Sequence, residues 1–213
     1  MQMSCPLCAG QDCQFYHQRK TRQYWQCLDC QLVFVPPAFH LSAEDEKSEY
    51  DLHQNTLFDQ GYRRFLSRPM QLITQRVAKG SLGLDFGCGP CPTLAAMLME
   101  QGYEMALYDH YYFHQPQALT MSYDFIVCTE VFEHLSAPGK IFDQLVGLLK
   151  PDGCLLIMSK RVQNRTAFAQ WHYIHDPTHI VFLSEETCHY LAAQHQLSLQ
   201  ITGTDTLLFF KHS

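Results

Sequence analysis

From Gly80 onward, short apolar runs alternate with segments of helical period. Leu82-Gly83-Leu84-Asp85-Phe86, Glu104 to Tyr108, Phe125-Ile126-Val127-Cys128 and Leu155-Leu156-Ile157-Met158 have the length and apolar character of strands. Thr93 to Gln101, Ala137 to Leu149 and Glu185 to Gln194 read as helices, with Lys150-Pro151-Asp152-Gly153 stopping the second. Leu197 to Ile201 and Leu207 to Lys211 read as strands around the turn-like Thr202-Gly203-Thr204-Asp205. Strands alternating with helices predict an α/β fold: a doubly wound, mainly parallel sheet covered on both faces. The last two strands are close enough to pair, which predicts an antiparallel last strand.

Before Gly80 the pattern changes twice. Residues 1–36 carry two cysteine pairs with Tyr24, Trp25, Val33 and Phe34 among them, and Pro36-Pro37 closes this zone. Residues 37–79 are richer in charge. There Asn55 is expected to cap a helix to about Leu66, and Pro69 to start another reaching about Lys79. The predicted organisation is a small cysteine-bearing unit (1–36), a helical linker or lid (37–79) and an α/β core (80–213).

Composition bounds what such a chain does. It is 46% apolar and 17% charged, enough to bury a core. A formal charge of −6 argues against broad nucleic-acid binding, although Arg19-Lys20-Thr21-Arg22 is a local basic patch. No apolar run approaches the roughly 18 to 20 residues of a membrane span. Met1-Gln2-Met3-Ser4-Cys5 lacks the basic and apolar regions of a signal peptide. A reducing cytoplasm is therefore expected, where the ten cysteines are metal ligands, reactive thiols or buried apolar residues, not disulfides.

The chemistry concentrates at Asp85-Phe86-Gly87-Cys88-Gly89. Gly87 and Gly89 follow a predicted strand and precede a predicted helix, the context of a ligand-binding turn whose backbone can lie against a cofactor. Asp109 ends the next strand, where a carboxylate can accept hydrogen bonds from ribose hydroxyls. A nicotinamide fingerprint wants a third glycine where Pro92 stands. Cys88-Gly89-Pro90-Cys91 also has the spacing of a thioredoxin-type redox pair, without the tryptophan that precedes that pair.

Gly83 to Thr93 resembles motif I of the class I S-adenosylmethionine-dependent methyltransferases. Tyr123-Asp124-Phe125-Ile126-Val127-Cys128-Thr129-Glu130-Val131-Phe132-Glu133-His134-Leu135 resembles their fourth strand and its loop, and Leu148-Leu149-Lys150-Pro151-Asp152-Gly153 the turn before their fifth. Asp176-Pro177-Thr178-His179 and Phe182-Leu183-Ser184 are similar to the branch of ubiquinone-biosynthesis O-methyltransferases. The resemblance implies S-adenosylmethionine as cofactor. Asp85 would lie near its amino group, the Gly87 and Gly89 backbone would line it, Asp109 would hold the ribose, and Glu130 would stand at the methionine or methyl end. Two departures stand out. Pro90-Cys91-Pro92 replaces the third motif glycine, and the stretch from Asp109 to Asp124 is short for a third strand and its helix.

Two further groups complete the expectation. Cys5-Pro6-Leu7-Cys8 and Cys27-Leu28-Asp29-Cys30 are Cys-x-x-Cys knuckles whose spacing suits a structural Zn2+ and resembles a zinc ribbon, with Cys13 and His17 as spare ligands. Trp171-His172-Tyr173-Ile174-His175-Asp176-Pro177-Thr178-His179 follows the fifth strand of the core, at the sheet end where ligands bind. His179, His175 and His134 are candidate bases for deprotonating an acceptor. Tyr50, His53 and Tyr62 are candidate lid residues. A small-molecule acceptor is favoured. An RNA methyltransferase, and a zinc-ribbon interaction protein without catalysis, are the alternatives.

Overall fold

The computed structural model describes residues 3–52 and 55–212. The chain opens with an antiparallel hairpin, β1 (Cys13–Arg19) and β2 (Arg22–Cys27), turning through Lys20 at φ 53°. The two-residue strand β3 (Val33–Phe34) pairs with β2. Helix α1 (Ala43–Tyr50) begins at Ser42, whose hydroxyl accepts the Asp45 N–H at 3.1 Å. Glu44, Asp45 and Glu46 fill its first turn, where carboxylates offset the positive helix end.

Helix α2 (Gln60–Thr74) departs from the sequence expectation. Its cap is Asp59, which accepts the Tyr62 N–H at 2.9 Å, and it runs through Pro69 instead of restarting there. Pro69 removes one backbone bond. Burial decides the outcome: Leu66, Pro69, Leu72 and Ile73 form one buried stripe, and Leu66, Leu72 and Ile73 pack in one cluster with Leu94, Met97 and Leu98 of the next helix. His53 lies outside the described residues.

The core follows as β4 (Leu82–Phe86), α3 (Thr93–Glu100), β5 (Glu104–Tyr108), β6 (Tyr123–Thr129), α4 (Pro138–Leu148), β7 (Leu149–Met158), α5 (Arg165–Ala169), β8 (Val181–Phe182), α6 (Glu185–Gln194), β9 (Ser198–Thr202) and β10 (Thr206–Phe210). Six strands form the main sheet in the order β5-β4-β6-β7-β10-β9. The β4–β5, β4–β6 and β6–β7 pairs are parallel, and β10 runs antiparallel to both its neighbours. One face packs on Phe142 and Leu145 of α4 and Cys188, Leu191 and Ala192 of α6. The other packs on α2 and α3. This is the expected α/β fold, with a mainly parallel sheet and an antiparallel last strand, β10.

Two details position the site. Between Asp109 and Tyr123 the chain makes only a short 3-10 turn, Pro116–Thr120, so β5 is an edge strand. The expected turn at Lys150–Gly153 is a bulge inside β7: Tyr123 faces Leu149, whereas Phe125 faces Cys154, and Asp152 takes a φ of 62°.

The cysteine-bearing segment is joined to the core through a second sheet, β1-β2-β3-β8. Val33 faces Phe182, Phe34 faces Val181, and the Val35 N–H reaches the Ile180 carbonyl at 2.8 Å. Tyr16, Tyr24, Val33 and Val35 share a buried cluster with Phe168, Tyr173, Ile174 and Phe182. Among the described residues no helix is long and apolar enough to cross a membrane.

Candidate active site

The turn after β4 is built by two left-handed glycines, Gly87 at φ 75° and Gly89 at φ 62°. The Gly87 N–H bonds the Tyr108 carbonyl at 2.7 Å. A Cβ on Gly87 would fall 2.4 Å from Val131 Cγ2, so the fold demands glycine there. A Cβ on Gly89 would meet nothing within 4 Å, because that position faces open space. Asp85 is buried beneath the turn, and burial pushes its carboxyl up to about 7 although the Ala95 N–H partners it. Asp109 holds the turn from the neighbouring strand. Its Oδ2 accepts the Gly89 N–H at 2.9 Å, and its Oδ1 accepts those of Tyr111 at 2.8 Å and Tyr112 at 3.0 Å. Three of its roughly four lone-pair sites are thereby used within the protein.

A cavity of about 900 Å³ opens over this turn. Asp85, Gly87, Gly89, Asp109 and Glu130 line it, and so do His134 and Asp176 to Ile180. Its roof carries Tyr50 of α1 and Tyr62 and Phe65 of α2. The roof is strapped down by Tyr111, which donates to Glu46 Oε2 at 2.7 Å, and by Tyr112, which donates to Asp51 Oδ1 at 2.6 Å. Among the described residues, no Lys or Arg lines the cavity. Glu130 adopts a φ of 53° directly after β6, its N–H held by the Met158 carbonyl at 2.7 Å. Burial, reinforced by Glu133, pushes its carboxyl up to about 8.

At the far wall, His179 is buried and its Nδ1 lies 2.8 Å from the Tyr173 carbonyl, which assigns the proton to Nδ1. Its Nε2 is 3.6 Å from Asp176 Oδ2. Burial lowers its pKa, opposed by Glu133, so Nε2 is a proton acceptor at neutral pH. Burial alone would raise Asp176, but the Thr178 hydroxyl and His179 hold it below the usual carboxylate range. The His134 ring is 4.8 Å from that of His179, with its Nδ1 3.2 Å from the Thr178 carbonyl. His175 is exposed at the end of a short 3-10 turn and does not line the cavity. Of the three candidate bases, the structure brings together His134 and His179.

Sequence reasoning passed over Glu133. It is buried, its Oε1 accepts the Tyr173 hydroxyl, and its Oε2 has no hydrogen-bond partner among the described residues. Burial raises its pKa, opposed by His179 and the Tyr173 hydroxyl. Glu133, His134 and His179 each bring one ligand atom within 4.8 Å of the others, a set able to hold a metal ion. The available signal was the carboxylate and imidazole side by side just beyond a strand end.

Cys5, Cys8, Cys27 and Cys30 form the other such set. The Sγ atoms of Cys5 and Cys30, and of Cys8 and Cys27, lie 3.5 Å apart. The two knuckles repeat one backbone pattern. Ala9 and Gln31 donate to Cys5 and Cys27 at 3.0 Å each, in left-handed conformations of 59° and 60°. Cys13 turns to the Gly10 carbonyl and His17 packs beside Tyr24 and Phe168, so neither joins the cluster. In the glycine turn after β4, burial raises the Cys88 thiol far above its ordinary value, which opposes the redox reading.

Residues 58–200 match the family model described as methyltransferase domain. The chain belongs to this family, the class I S-adenosylmethionine-dependent methyltransferase domains. Solved structures share the fold at low identity. The 1,6-didemethyltoxoflavin-N1-methyltransferase of Burkholderia thailandensis, solved with 1,6-didemethyltoxoflavin and S-adenosylhomocysteine, is 16% identical with a TM-score of 0.56, covering 87% of this chain and 98% of its own. The magnesium protoporphyrin IX methyltransferase of Synechocystis, with bound S-adenosylhomocysteine, is 17% identical with a TM-score of 0.53, covering 81% and 95%. An O-methyltransferase family protein of Burkholderia thailandensis is 14% identical with a TM-score of 0.51, covering 70% of this chain and 56% of its own, so this chain spans little more than half of that relative. No curated protein sequence matches the chain.

Proposed function

We propose that this protein transfers the methyl group of S-adenosylmethionine to an oxygen atom of a small-molecule acceptor. The observation that carries this reading is the cavity, which the Gly87–Gly89 turn lines together with His134, His179 and Asp176. At about 900 Å³ it has room for a cofactor and an acceptor side by side. The residues fit the cofactor: Gly89 leaves open the space a side chain would fill, and buried Asp85 becomes a stable carboxylate once an ammonium group pairs with it. Asp109 would hold the ribose with its remaining lone pair, and Glu130 would face the methionine end. Bound S-adenosylmethionine supplies an electrophilic methyl on a sulfonium centre.

The chain's own residues do the rest. His179, its Nδ1–H fixed by the Tyr173 carbonyl, takes the acceptor proton at Nε2. Asp176 and Glu133 stabilise the resulting imidazolium. Methyl transfer is an in-line displacement in which the carbon–oxygen bond forms as the carbon–sulfur bond breaks and the sulfur leaves as a thioether, so holding the acceptor at the right distance supplies much of the rate. A divalent cation at Glu133, His134 and His179 is a second reading, favoured by the unpartnered Glu133 Oε2; it would polarise the acceptor oxygen as a Lewis acid. The likeness of Asp176 to Ser184 to the ubiquinone-biosynthesis branch favours a hydroxylated aromatic ring. The acidic and aromatic cavity wall, lacking Lys and Arg, favours a small molecule over RNA.

The segment 1–36 is read as a zinc ribbon, 37–79 as the lid and 80–213 as the core. Tetrahedral Zn2+ bound at about 2.3 Å to four thiolates sets sulfurs about 3.8 Å apart, close to the 3.5 Å separations here. Such thiolates suit the reducing cytoplasm. Calorimetry with S-adenosylhomocysteine tests the cofactor, and transfer of labelled methyl to catechol, with and without EDTA or added Mg2+, tests the acceptor. Absence of cofactor binding would overturn the reading. Transfer to amines but not to catechol would overturn the oxygen assignment. Metal analysis finding one Zn2+ per chain, lost in Cys27→Ser, supports the ribbon, and a metal-free native protein refutes it.

A further inference from the structure

Arg22 belonged to the basic patch at the start of the chain, yet its side chain does not serve the surface. It opens β2 and reaches across to the segment that carries the proposed base. Its Nη1 donates to the Asp176 carbonyl at 2.9 Å, and its Nη2 donates to those of Pro177 at 3.1 Å and His179 at 2.5 Å. The Thr178 carbonyl, between these, turns the other way, to His134 Nδ1 at 3.2 Å. The four successive carbonyls from Asp176 to His179 therefore each have a cationic or imidazole neighbour.

The clamp is anchored from behind. The guanidinium carbon lies 5.6 Å from the centre of the Tyr24 ring, and the Tyr24 hydroxyl donates to the Ile174 carbonyl at 3.1 Å. Tyr24 is fully buried, and β2 is pinned at its other end by Cys27 of the cysteine cluster. The peptide planes of residues 176–179 decide where the His179 and Asp176 side chains point. Three of these planes are set by one planar, multi-donor group, a geometry lysine cannot reproduce.

We infer that Arg22 is a positioning residue for the acceptor end of the active site, through which the cysteine-bearing segment sets the aim of His179. This rests on the reading of His179 and Asp176 as the acceptor wall. It predicts a division of effects. Arg22→Gln disturbs the acceptor wall and leaves the Gly87–Gly89 turn, which is held by Asp109 and the Tyr108 carbonyl and not by residues 176–179, as it was.

The test compares wild type, Arg22→Lys and Arg22→Gln as full-length protein. Hydrogen exchange should rise over residues 171–182 in Arg22→Gln and stay unchanged over 85–95. The affinity for S-adenosylhomocysteine should stay within about twofold of wild type. With catechol as probe, kcat should fall by about tenfold or more, as expected for a small misplacement of a reacting group, with KM for S-adenosylmethionine unchanged and Arg22→Lys only partly restored. Where wild type does not methylate catechol, the His179 ring resonances decide: their titration shifts in Arg22→Gln and not in a surface control, Lys20→Gln. Equal exchange, or an unshifted titration, or full activity in Arg22→Gln overturns the inference. Loss of S-adenosylhomocysteine binding in parallel overturns it too, because it shows a general structural role. Failure of wild type to bind S-adenosylhomocysteine instead refutes the proposed function and leaves the exchange result to judge the clamp.

Discussion

The two glycines of the turn after β4 separate what the fold needs from what the proposed cofactor needs. Both are left-handed, so alanine at either costs about 1–2 kcal/mol in backbone strain. At Gly89 the added methyl meets nothing within 4 Å. Gly89→Ala should therefore lower Tm by about 2–8 °C, at about 2–4 °C per kcal/mol for a chain of this size. At Gly87 the methyl would stand 2.4 and 2.7 Å from the two Val131 methyls. Overpacking adds about 1–3 kcal/mol, so Gly87→Ala should lose about 4–20 °C in all. Ligand response reverses this order. S-adenosylhomocysteine at a hundred times its Kd stabilises the wild type by about 2.7 kcal/mol, or about 5–11 °C. In Gly89→Ala the methyl occupies the cofactor's side of the turn, and a hundredfold loss of affinity leaves about 0.4 kcal/mol, or about 1 °C. Thermal melts with and without S-adenosylhomocysteine, backed by calorimetry, measure both quantities. A full ligand shift in Gly89→Ala would refute the placement of the cofactor against that backbone. Wild-type stability in Gly87→Ala would refute the rigid contact with Val131.

Four further outcomes follow from the geometry. Burial holds the Asp85 carboxyl at about 7, and an ammonium-bearing ligand needs it ionised, so S-adenosylhomocysteine affinity should rise with pH and level off above about 7; calorimetry in buffers of different ionisation enthalpy should show proton release, and pH-independent binding from 5.5 to 8 contradicts this. The same shift has the opposite sign for folding: the unligated native state binds the extra proton, so the Asp85 contribution to stability declines as pH rises from about 4 to 7. Tyr173→Phe removes the hydroxyl donor from buried Glu133 and should cost about 1–3 kcal/mol by urea unfolding, an unchanged midpoint telling against the bond. Ala9→Gly relieves a left-handed residue in the first cysteine knuckle and should gain up to about 1 kcal/mol, whereas a loss would show that the φ of 59° carries no strain.

The sheet and the glycine turn after β4 were legible because strand, glycine turn, helix and acidic strand end lie close together in the chain. The missing third strand was legible too, from the short stretch after Asp109. Helix α2 was misread at both ends because its start and its passage through Pro69 depend on α3, which local pattern does not contain. Asp59, not Asn55, caps it because the chain turns at residues 57–58 first. His175 and His179 looked equivalent in one loop; a short 3-10 turn sends His175 to solvent and buries His179. Glu133 and Arg22 were hidden for another reason. Their roles depend on Tyr173 and on the carbonyls of residues 176–179, partners distant in sequence.

The β3–β8 pairing also orders events during synthesis. The outer edge of β3 stays unpaired until Val181 and Phe182 have emerged, as does Tyr24 with respect to Ile174, 150 residues later. At about 5–20 residues per second the nascent chain carries that apolar edge, Val33 and Phe34, uncovered for about 7–30 seconds. A mature protein shows no trace of this interval. It is the period in which that apolar edge is open to chaperones and to aggregation.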